Sequence, residues 1–347
     1  MRIAIDTSPL RSGHTDRGVG VYTRNLIESL GLVKSGHTFI QFDSTSQSVP
    51  EADVIHYPFF DPFFLNLPLY SPKPTIVTVH DLIPILFPEH FPKGFRGSVK
   101  WEIQKYSLRR KQWIITDSEC SRNDIHRIIG FDKERITSIP LASSLRAGKI
   151  GSLKGLEKQH GIKSPYFLYV GDVNWNKNIA GLLKAFSSFA SGQSKNIQLV
   201  LVGKAFLSPT LDQAREINQM ISDLKIEKYV VRTGYVDIDE LSSLYTHALG
   251  LIQPSWYEGF GFPVLEAMSL GCPVVCSSSS SLPEIAGPSI TVDVKSQSSL
   301  VDGMKYIAFM SKEKRNALIQ KGITWAHTFT WEKTASKTIE VYERSLK

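Results

Sequence analysis

The chain has 347 residues, 42% of them hydrophobic and 21% charged, with a formal net charge of +7. That length exceeds one ordinary core and suits two domains, and the balance excludes long disorder. No apolar run approaches the ~20 residues that a spanning helix needs, and no nucleic-acid motif is present, so the basic balance points to a phosphorylated substrate, an anionic membrane surface or a solvated face without a partner.

Arg2 to Asp6 reads as a short apolar strand that follows Met1 directly, with no leader pattern. A loop bearing Gly18 and Gly20 follows, then a helix from Val21 to Leu30 with Tyr22, Leu26 and Leu30 on one face. Strands are predicted over Asp53 to Tyr57, Thr75 to His80, Trp113 to Thr116 and Ile136 to Pro140, with a helix start at Asp117-Ser118-Glu119. Residues from about 142 to 164 are rich in Gly, Ser and Lys and lack apolar periodicity, which places an interdomain linker there. The pattern then restarts. Strands over Tyr166 to Gly171, Ile197 to Gly203, Val230 to Tyr235, Gly250 to Pro254 and Pro273 to Cys276 alternate with helices over Ile179 to Phe189, Leu211 to Leu224 and Asp239 to Thr246.

Such alternation predicts parallel sheets with right-handed crossovers, ligands at the carboxyl ends of the strands, and two Rossmann-like domains over residues 1–160 and 161–330. Two facing crevices would then form one interdomain cleft. A last helix, about 331–347, is expected to cap one domain or cross back to the first. Cys120, Cys272 and Cys276 have no second Cys or His cluster beside them, so reduced, buried thiols in a cytoplasmic protein are expected and no metal site.

The stretch richest in chemistry runs from Pro254 to Met268, between a strand and a helix. Gly259 and Gly261 allow a tight turn and close approach to a ligand. Pro263 suits the first helical turn, and Gly271 suits the cap at its end. Free amides at that helix start favour a phosphate. Glu258 in the loop and Glu266 in the helix can reach two points of one extended ligand, and carboxylates suit sugar and ribose hydroxyls. Dipole support for Glu266 and a solvated charge for Glu258 are the plainer readings. The serine run from Ser277 to Ser281 is either a solvated loop or a set of hydroxyls near phosphates.

Glu258 and Glu266, within Glu-Gly-Phe-Gly-Phe-Pro-Val-Leu-Glu-Ala-Met, resemble the signature of the family 4 retaining glycosyltransferases with the GT-B fold. Val79-His80-Asp81-Leu82-Ile83-Pro84 resembles the family's acceptor-side histidine segment, and Arg17-Gly18-Val19-Gly20-Val21-Tyr22 its N-terminal glycine loop. Gly171 through Lys177-Asn178 resembles its phosphate-lysine loop; Ser281-Leu282-Pro283-Glu284 and Trp331-Glu332-Lys333-Thr334-Ala335 also match. The resemblance covers nearly the whole chain, and the nearest branch is that of bacterial mannosyltransferases building surface polysaccharides.

The resemblance implies roles. Glu258 would orient the transferred sugar, Glu266 would bind the ribose, and backbone around Phe260 and Gly261 would hold donor sugar and phosphate. Lys177 would neutralise the leaving diphosphate without a metal. Gly18 and Gly20 would let the first domain approach the donor phosphate. His80 would contact the sugar near the acceptor, through its ring or its carbonyl, unless it is a structural histidine. Val236 falls where the family's base-binding backbone lies. The donor would be a nucleotide-diphosphate sugar, GDP-mannose first and a UDP-sugar next, with no cofactor. The acceptor would be a glycan or lipid-linked glycan. The aromatic and Pro-rich stretches Tyr57 to Phe64 and Phe87 to Phe95 read either as a surface for such a glycan or for peripheral contact with an anionic membrane, or as packed loops.

One departure stands out: Asp172 occupies the position where many members carry Arg, and an acid there disfavours a diphosphate unless it points away or is paired. That keeps open a catalytically silent nucleotide-sugar or glycan-binding subunit. A related GT-B epimerase or phosphorylase is disfavoured by the glutamate spacing. An NAD-dependent oxidoreductase is disfavoured because Gly18 and Gly20 come too late after the first strand.

Overall fold

The computed structural model describes residues 1–11, 15, 18–145, 150–163, 165–192 and 196–346. Arg17 of the glycine segment, and residues 146–149 and 164 of the expected linker, lie outside them. The chain divides into two compact units, Met1–Ala142 with Phe329–Lys347, and Ser143–Thr328.

The first unit runs β1 (Arg2–Asp6), α1 (Gly18–Leu32), β2 (Thr38–Phe42), β3 (Val54–Tyr57), β4 (Thr75–Thr78), α2 (Ile83–Leu86), α3 (Gly94–Arg109), β5 (Trp113–Thr116), α4 (Glu119–Ile129) and β6 (Ile136–Ser138). Its described strands pair in parallel in the order β2-β1-β3-β4-β5-β6. β3 and β4 are buried at every residue, as parallel strands covered on both faces are. Between β5 and β6, α4 starts where the Ser118 hydroxyl accepts from the Ser121 amide at 3.1 Å, and it ends on Gly130 at φ 69°. Its buried side carries Ile125 and Ile129.

The second unit runs α5 (Leu153–His160), β7 (Tyr166–Val170), α6 (Ile179–Ser191), β8 (Gln198–Val202), α7 (Asp212–Asp223), β9 (Val230–Gly234), α8 (Ile238–His247), β10 (Gly250–Gln253), α9 (Phe262–Ser269), β11 (Val274–Ser277), α10 (Leu282–Ala286), β12 (Ile290–Val292), α11 (Gln297–Phe309) and α12 (Lys312–Ala326). The order of its described strands is β12-β11-β10-β7-β8-β9, so strand order reverses between β7 and β10. Leu182, Leu183, Phe186 and Phe189 of α6 join Phe167, Leu199 and Leu201 of the strands in one core.

The chain then returns to the first unit as α13 (Trp331–Arg344), which packs against α1. Thr330 caps it, the Thr334 hydroxyl donates to the Pro140 carbonyl at 2.9 Å, and Tyr342 is fully buried. Inside the first unit, His56 bonds the Tyr342 hydroxyl and the Thr78 hydroxyl, each at 2.8 Å. Burial drops the His56 pKa to about 3, so this ring is neutral.

Three expectations change. The boundary falls at Ala142, ahead of residue 160, because α5 belongs to the second unit: His160 pairs with Glu240, and the Gly151 amide donates to Ser243 Oγ at 2.7 Å. The first helix starts at Gly18, not Val21, so Gly18 and Gly20 form its opening turn rather than a loop; the Thr23 hydroxyl and Asn25 amide close that turn on Val19 and Val21 carbonyls. Edge strands β2 and β12 join the sheets beyond the strands read from the sequence.

Candidate active site

Where strand order reverses, the loops after two neighbouring strands diverge and leave a crevice at the carboxyl ends. In the second unit those loops follow β7 and β10, and they carry Lys177 and Glu258. They are sewn together by two buried asparagines. Asn176 Nδ2 donates to the Tyr257 carbonyl at 3.0 Å, and the Trp256 amide donates to the Asn176 carbonyl at 2.8 Å. Asn178, at φ 55°, donates to the Pro254 carbonyl at 3.0 Å while its Oδ1 caps α6 through the Gly181 amide.

Lys177, held between these asparagines, places Nζ 2.8 and 2.7 Å from the two Glu258 carboxylate oxygens. Glu258 Oε1 also accepts from Gln253 Nε2 at 2.9 Å and from the Ser255 hydroxyl at 2.7 Å. The Glu258 side chain is 7% exposed and that of Lys177 20%, so this is a carboxylate fixed in a largely dry pocket with its cation at the mouth. Lys177 and Glu258, far apart in sequence, are thus one chemical unit.

The serine run holds the Glu258 backbone. The Glu258 amide donates to Ser280 Oγ at 2.9 Å, and the buried Ser281 hydroxyl reaches the Glu258 and Phe260 carbonyls at 2.9 and 3.1 Å. Ser280 sits at φ 55°, a left-handed conformation unusual for serine. The run is therefore neither a purely solvated loop nor a free row of hydroxyls; Ser277 and Ser281 are both fully buried. Sequence reasoning missed Gln253, Ser255 and Ser280 as supports of Glu258.

Gly261 takes φ 103° at the N-cap of α9, where a Cβ would lie 2.6 Å from Leu282 Cδ2. Phe260 just before it is buried and packs edge-on against Phe262, with ring centroids 5.5 Å apart. Pro263 lies in the first turn of α9 and Gly271, at φ 72°, follows its end. On that helix Glu266 is buried and accepts from the Tyr245 hydroxyl at 2.9 Å. Burial lifts its pKa to about 7, against the pull of the tyrosine bond. Asp172 Oδ1 accepts from the Val173 amide at 2.9 Å, and its carbonyl accepts from the Tyr169 hydroxyl. Val236 is buried between β9 and α8, beside an exposed Tyr235.

In the first unit, His80 follows β4 at the carboxyl edge. Its Nδ1 faces Asp117 Oδ2 at 2.6 Å and its Nε2 faces the Pro58 carbonyl at 3.2 Å. Nε2–H donates to the carbonyl, and one proton is shared across the short Nδ1–Asp117 contact. Burial opposes a charged ring, but the Asp117 carboxylate outweighs it and the His80 pKa is raised; burial raises the Asp117 pKa as well. Tyr22 packs edge-on against the ring at 4.8 Å, and the Ser121 hydroxyl donates to the His80 carbonyl at 2.9 Å. Gly18 is exposed at the start of α1 and Gly20 is buried in its first turn. Among the described residues no cluster of His, Cys, Asp and Glu is disposed to hold a metal ion, and no helix is long and apolar enough to cross a membrane.

Residues 155–325 match the family described as glycosyl transferases group 1, and residues 43–142 match glycosyltransferase family 4. The O-antigen chain mannosyltransferase B of Escherichia coli is 30% identical over 271 residues, covering 77% of this chain and 70% of that protein. The chain belongs to glycosyltransferase family 4. This glycosyltransferase is also 30% identical, over 204 residues, to the O-antigen chain mannosyltransferase RfbU of Salmonella typhimurium; the match spans 58% of its own length and 51% of the relative's. Among solved structures, sucrose-phosphate synthase from Thermosynechococcus elongatus aligns with a TM-score of 0.75 at 19% identity, covering 99% of this chain and 98% of that one. Anabaena HepE, solved in complex with UDP and glucose, aligns with a TM-score of 0.72 at 17% identity, covering 99% and 100%. At such identities the likeness carries the fold, and the glycosyltransferase has the GT-B fold of two Rossmann-like domains.

Proposed function

We propose that this glycosyltransferase moves a hexose, mannose by preference, from a nucleotide-diphosphate sugar to a glycan or lipid-linked glycan during surface polysaccharide synthesis, with retention of anomeric configuration. The Lys177–Glu258 pair at the strand-order reversal is the observation that carries this reading. It sets a fixed carboxylate beside a cation at the place where α/β sheets bind nucleotides. The O-antigen mannosyltransferases that the chain resembles favour mannose, and hence GDP-mannose ahead of a UDP-sugar.

In this reading Lys177 turns from Glu258 towards the diphosphate and neutralises charge as the glycosidic bond breaks. Glu258, kept in place by Gln253 and Ser255, orients the sugar hydroxyls and stabilises positive charge growing at the anomeric carbon. The departing phosphate oxygen takes the proton of the acceptor hydroxyl on the same face, which retains configuration without an enzyme nucleophile. Glu266 accepts from the ribose, the amides at Phe260 and Gly261 face the phosphates, and backbone near Val236 meets the base. Gly18 and Gly20, in the opening turn of α1, would let the first unit's backbone approach the donor phosphate. His80, bonded at both nitrogens and its carbonyl, acts as a positioning residue on the acceptor side.

Calorimetric titration with GDP, UDP, ADP and dTDP, with and without magnesium, fixes the donor class; metal-independent binding of GDP is expected. With the donor sugar then supplied, Glu258→Ala is expected to lower kcat by at least about a hundredfold. Unchanged product yield in that variant would mean a silent binding subunit, and a trapped glycosyl-enzyme would refute the same-face path.

A further inference from the structure

Tyr245 is a fully buried phenol on α8 that touches neither sugar nor phosphate in the transfer proposed above. Its helix is fastened along its whole length. The Asp237 carboxylate caps the start through the Glu240 amide at 2.8 Å. The Leu244 carbonyl, one residue before Tyr245, accepts from the Tyr166 hydroxyl of β7 at 2.7 Å. At the end, the His247 ring bonds the Gly151 carbonyl at 2.9 Å. A helix held at start, middle and end delivers the phenol to one point, where its hydroxyl donates to Glu266 Oε2 at 2.9 Å.

The two oxygens of Glu266 are thereby made unequal. Oε2 is held by the phenol, whereas among the described residues Oε1 has no hydrogen-bond partner and no cation pairs with either oxygen. The residue keeps 9% of its surface open, enough for one oxygen to take a hydroxyl from a ligand. A carboxylate taken this far out of water resists ionisation unless donors replace its lost hydration. One donor is in place, and burial still wins, holding the Glu266 pKa at about 7. The elements packed on α9 offer little more. The Tyr169 phenol of β7 and the Cys272 thiol, which both act on Tyr245, are kept neutral by burial, as is Cys276 of β11. Arg315 of α12 acts on Cys272, and Glu284 of α10 is exposed. A second donor to Glu266 has therefore to come with a ligand.

We propose that Tyr245 is a positioning residue for the donor nucleotide: it occupies Oε2 of Glu266 and aims Oε1 at the ribose, whose hydroxyl is the second donor that this carboxylate needs. Glu266 contacts the ribose in the function proposed above, and the part given to Tyr245 rests on that reading. Nucleotide binding then releases the proton that Glu266 keeps in the empty pocket. The ribose O–H donates to Oε1 as the acid ionises, and the proton passes to solvent. Without the phenol the resident donor is lost and the Glu266 pKa climbs further, so the ribose meets a neutral carboxylic acid at pH 7. A phenylalanine at position 245 fills the same space, which keeps the packing between α8 and α9 while removing that donor.

Calorimetric titration of the full chain between about pH 5 and 9 tests this, with GDP and, because the ribose is common to both, with UDP. The nucleotide's own phosphate ionises in that range and adds the same slope to every variant, so each affinity is read as a ratio to that of Glu266→Gln. For the parent the ratio is expected to rise up to about pH 7 and then level. Tyr245→Phe is expected to bind about tenfold more weakly at neutral pH and to recover towards the parent as pH rises to about 9. A loss that came only from a displaced helix would be equal at every pH. Tyr245→Phe/Glu266→Gln is expected to match Glu266→Gln alone, because the phenol acts through the carboxylate. A loss in Tyr245→Phe that does not vary with pH, no loss at all, or additive losses in the double variant would overturn the part given to Tyr245 and leave the ribose reading standing. Parent-like affinity in Glu266→Gln at every pH, or binding of neither nucleotide to the parent, would overturn both.

Discussion

Glu266 is the buried acid whose ionisation changes within the working pH range. Its ordinary pKa is 4.5 and burial raises it to about 7, so between those values the folded protein keeps a proton that the unfolded chain has released. The stabilisation is complete below the ordinary value and is lost as pH rises through about 7, by ~3 kcal/mol at most. Glu266→Gln carries no such proton. Thermal melts of the two proteins are expected to diverge with pH, the variant gaining on the parent as pH rises from 4.5 to about 7 and keeping a constant lead above that. Parallel melting curves across pH would show that Glu266 is not the group responsible. A ribose hydroxyl donating to this carboxylate would favour its charged form, so nucleotide affinity and stability pull on the same proton in opposite directions.

At the scale of elements, the pocket depends on how the turns after β7, β10 and β11 fasten to one another. Ser280 spends its left-handed backbone on placing one hydroxyl under the Glu258 amide. Ser280→Gly relieves that strain and loses the bond, so the two effects are expected to leave stability within about 1 kcal/mol of the parent. The kcat is expected to fall several-fold with little change in KM, because the glutamate carboxylate loses its fixed aim. Unchanged kcat in a variant that melts with the parent would make Ser280 a bystander. These fastenings explain what was legible in advance. Glu258, Glu266 and Lys177 could be picked out as residue types in recognisable local segments, whereas Gln253, Ser255 and Ser280 are ordinary residues whose meaning comes only from their partners. The buried central strands declared themselves through unbroken apolar runs. β2 did not, because its Thr38–Phe42 stretch at the sheet edge mixes exposed and half-buried positions. α3 also escaped notice, since Phe95, Val99 and Tyr106 on its outer side blur the apolar periodicity that marks a buried face. Gly18 and Gly20 suggested a loop by composition, but packing of Tyr22 and Thr23 below them draws both into the helix.

For the whole molecule, connectivity matters as much as architecture. The first unit is built from both ends of the chain, and α13 supplies the hydroxyl of Tyr342 to the buried His56 ring. Tyr342→Phe leaves His56 Nδ1 without that partner in a neutral, fully buried site, at a cost of ~1–3 kcal/mol. Scanning calorimetry is expected to show a lower transition for the first unit alone; a shift of both transitions would mean that the units unfold together. The same connectivity sets an order of events during synthesis. The second unit, Ser143–Thr328, is an uninterrupted stretch and can close as soon as it clears the ribosome. The first unit must wait for the last helix, holding its half-finished face open through the translation of everything between. The part of this glycosyltransferase made first is therefore the part finished last, and a nascent chain stalled before residue 329 would be the state in which chaperones find it most exposed.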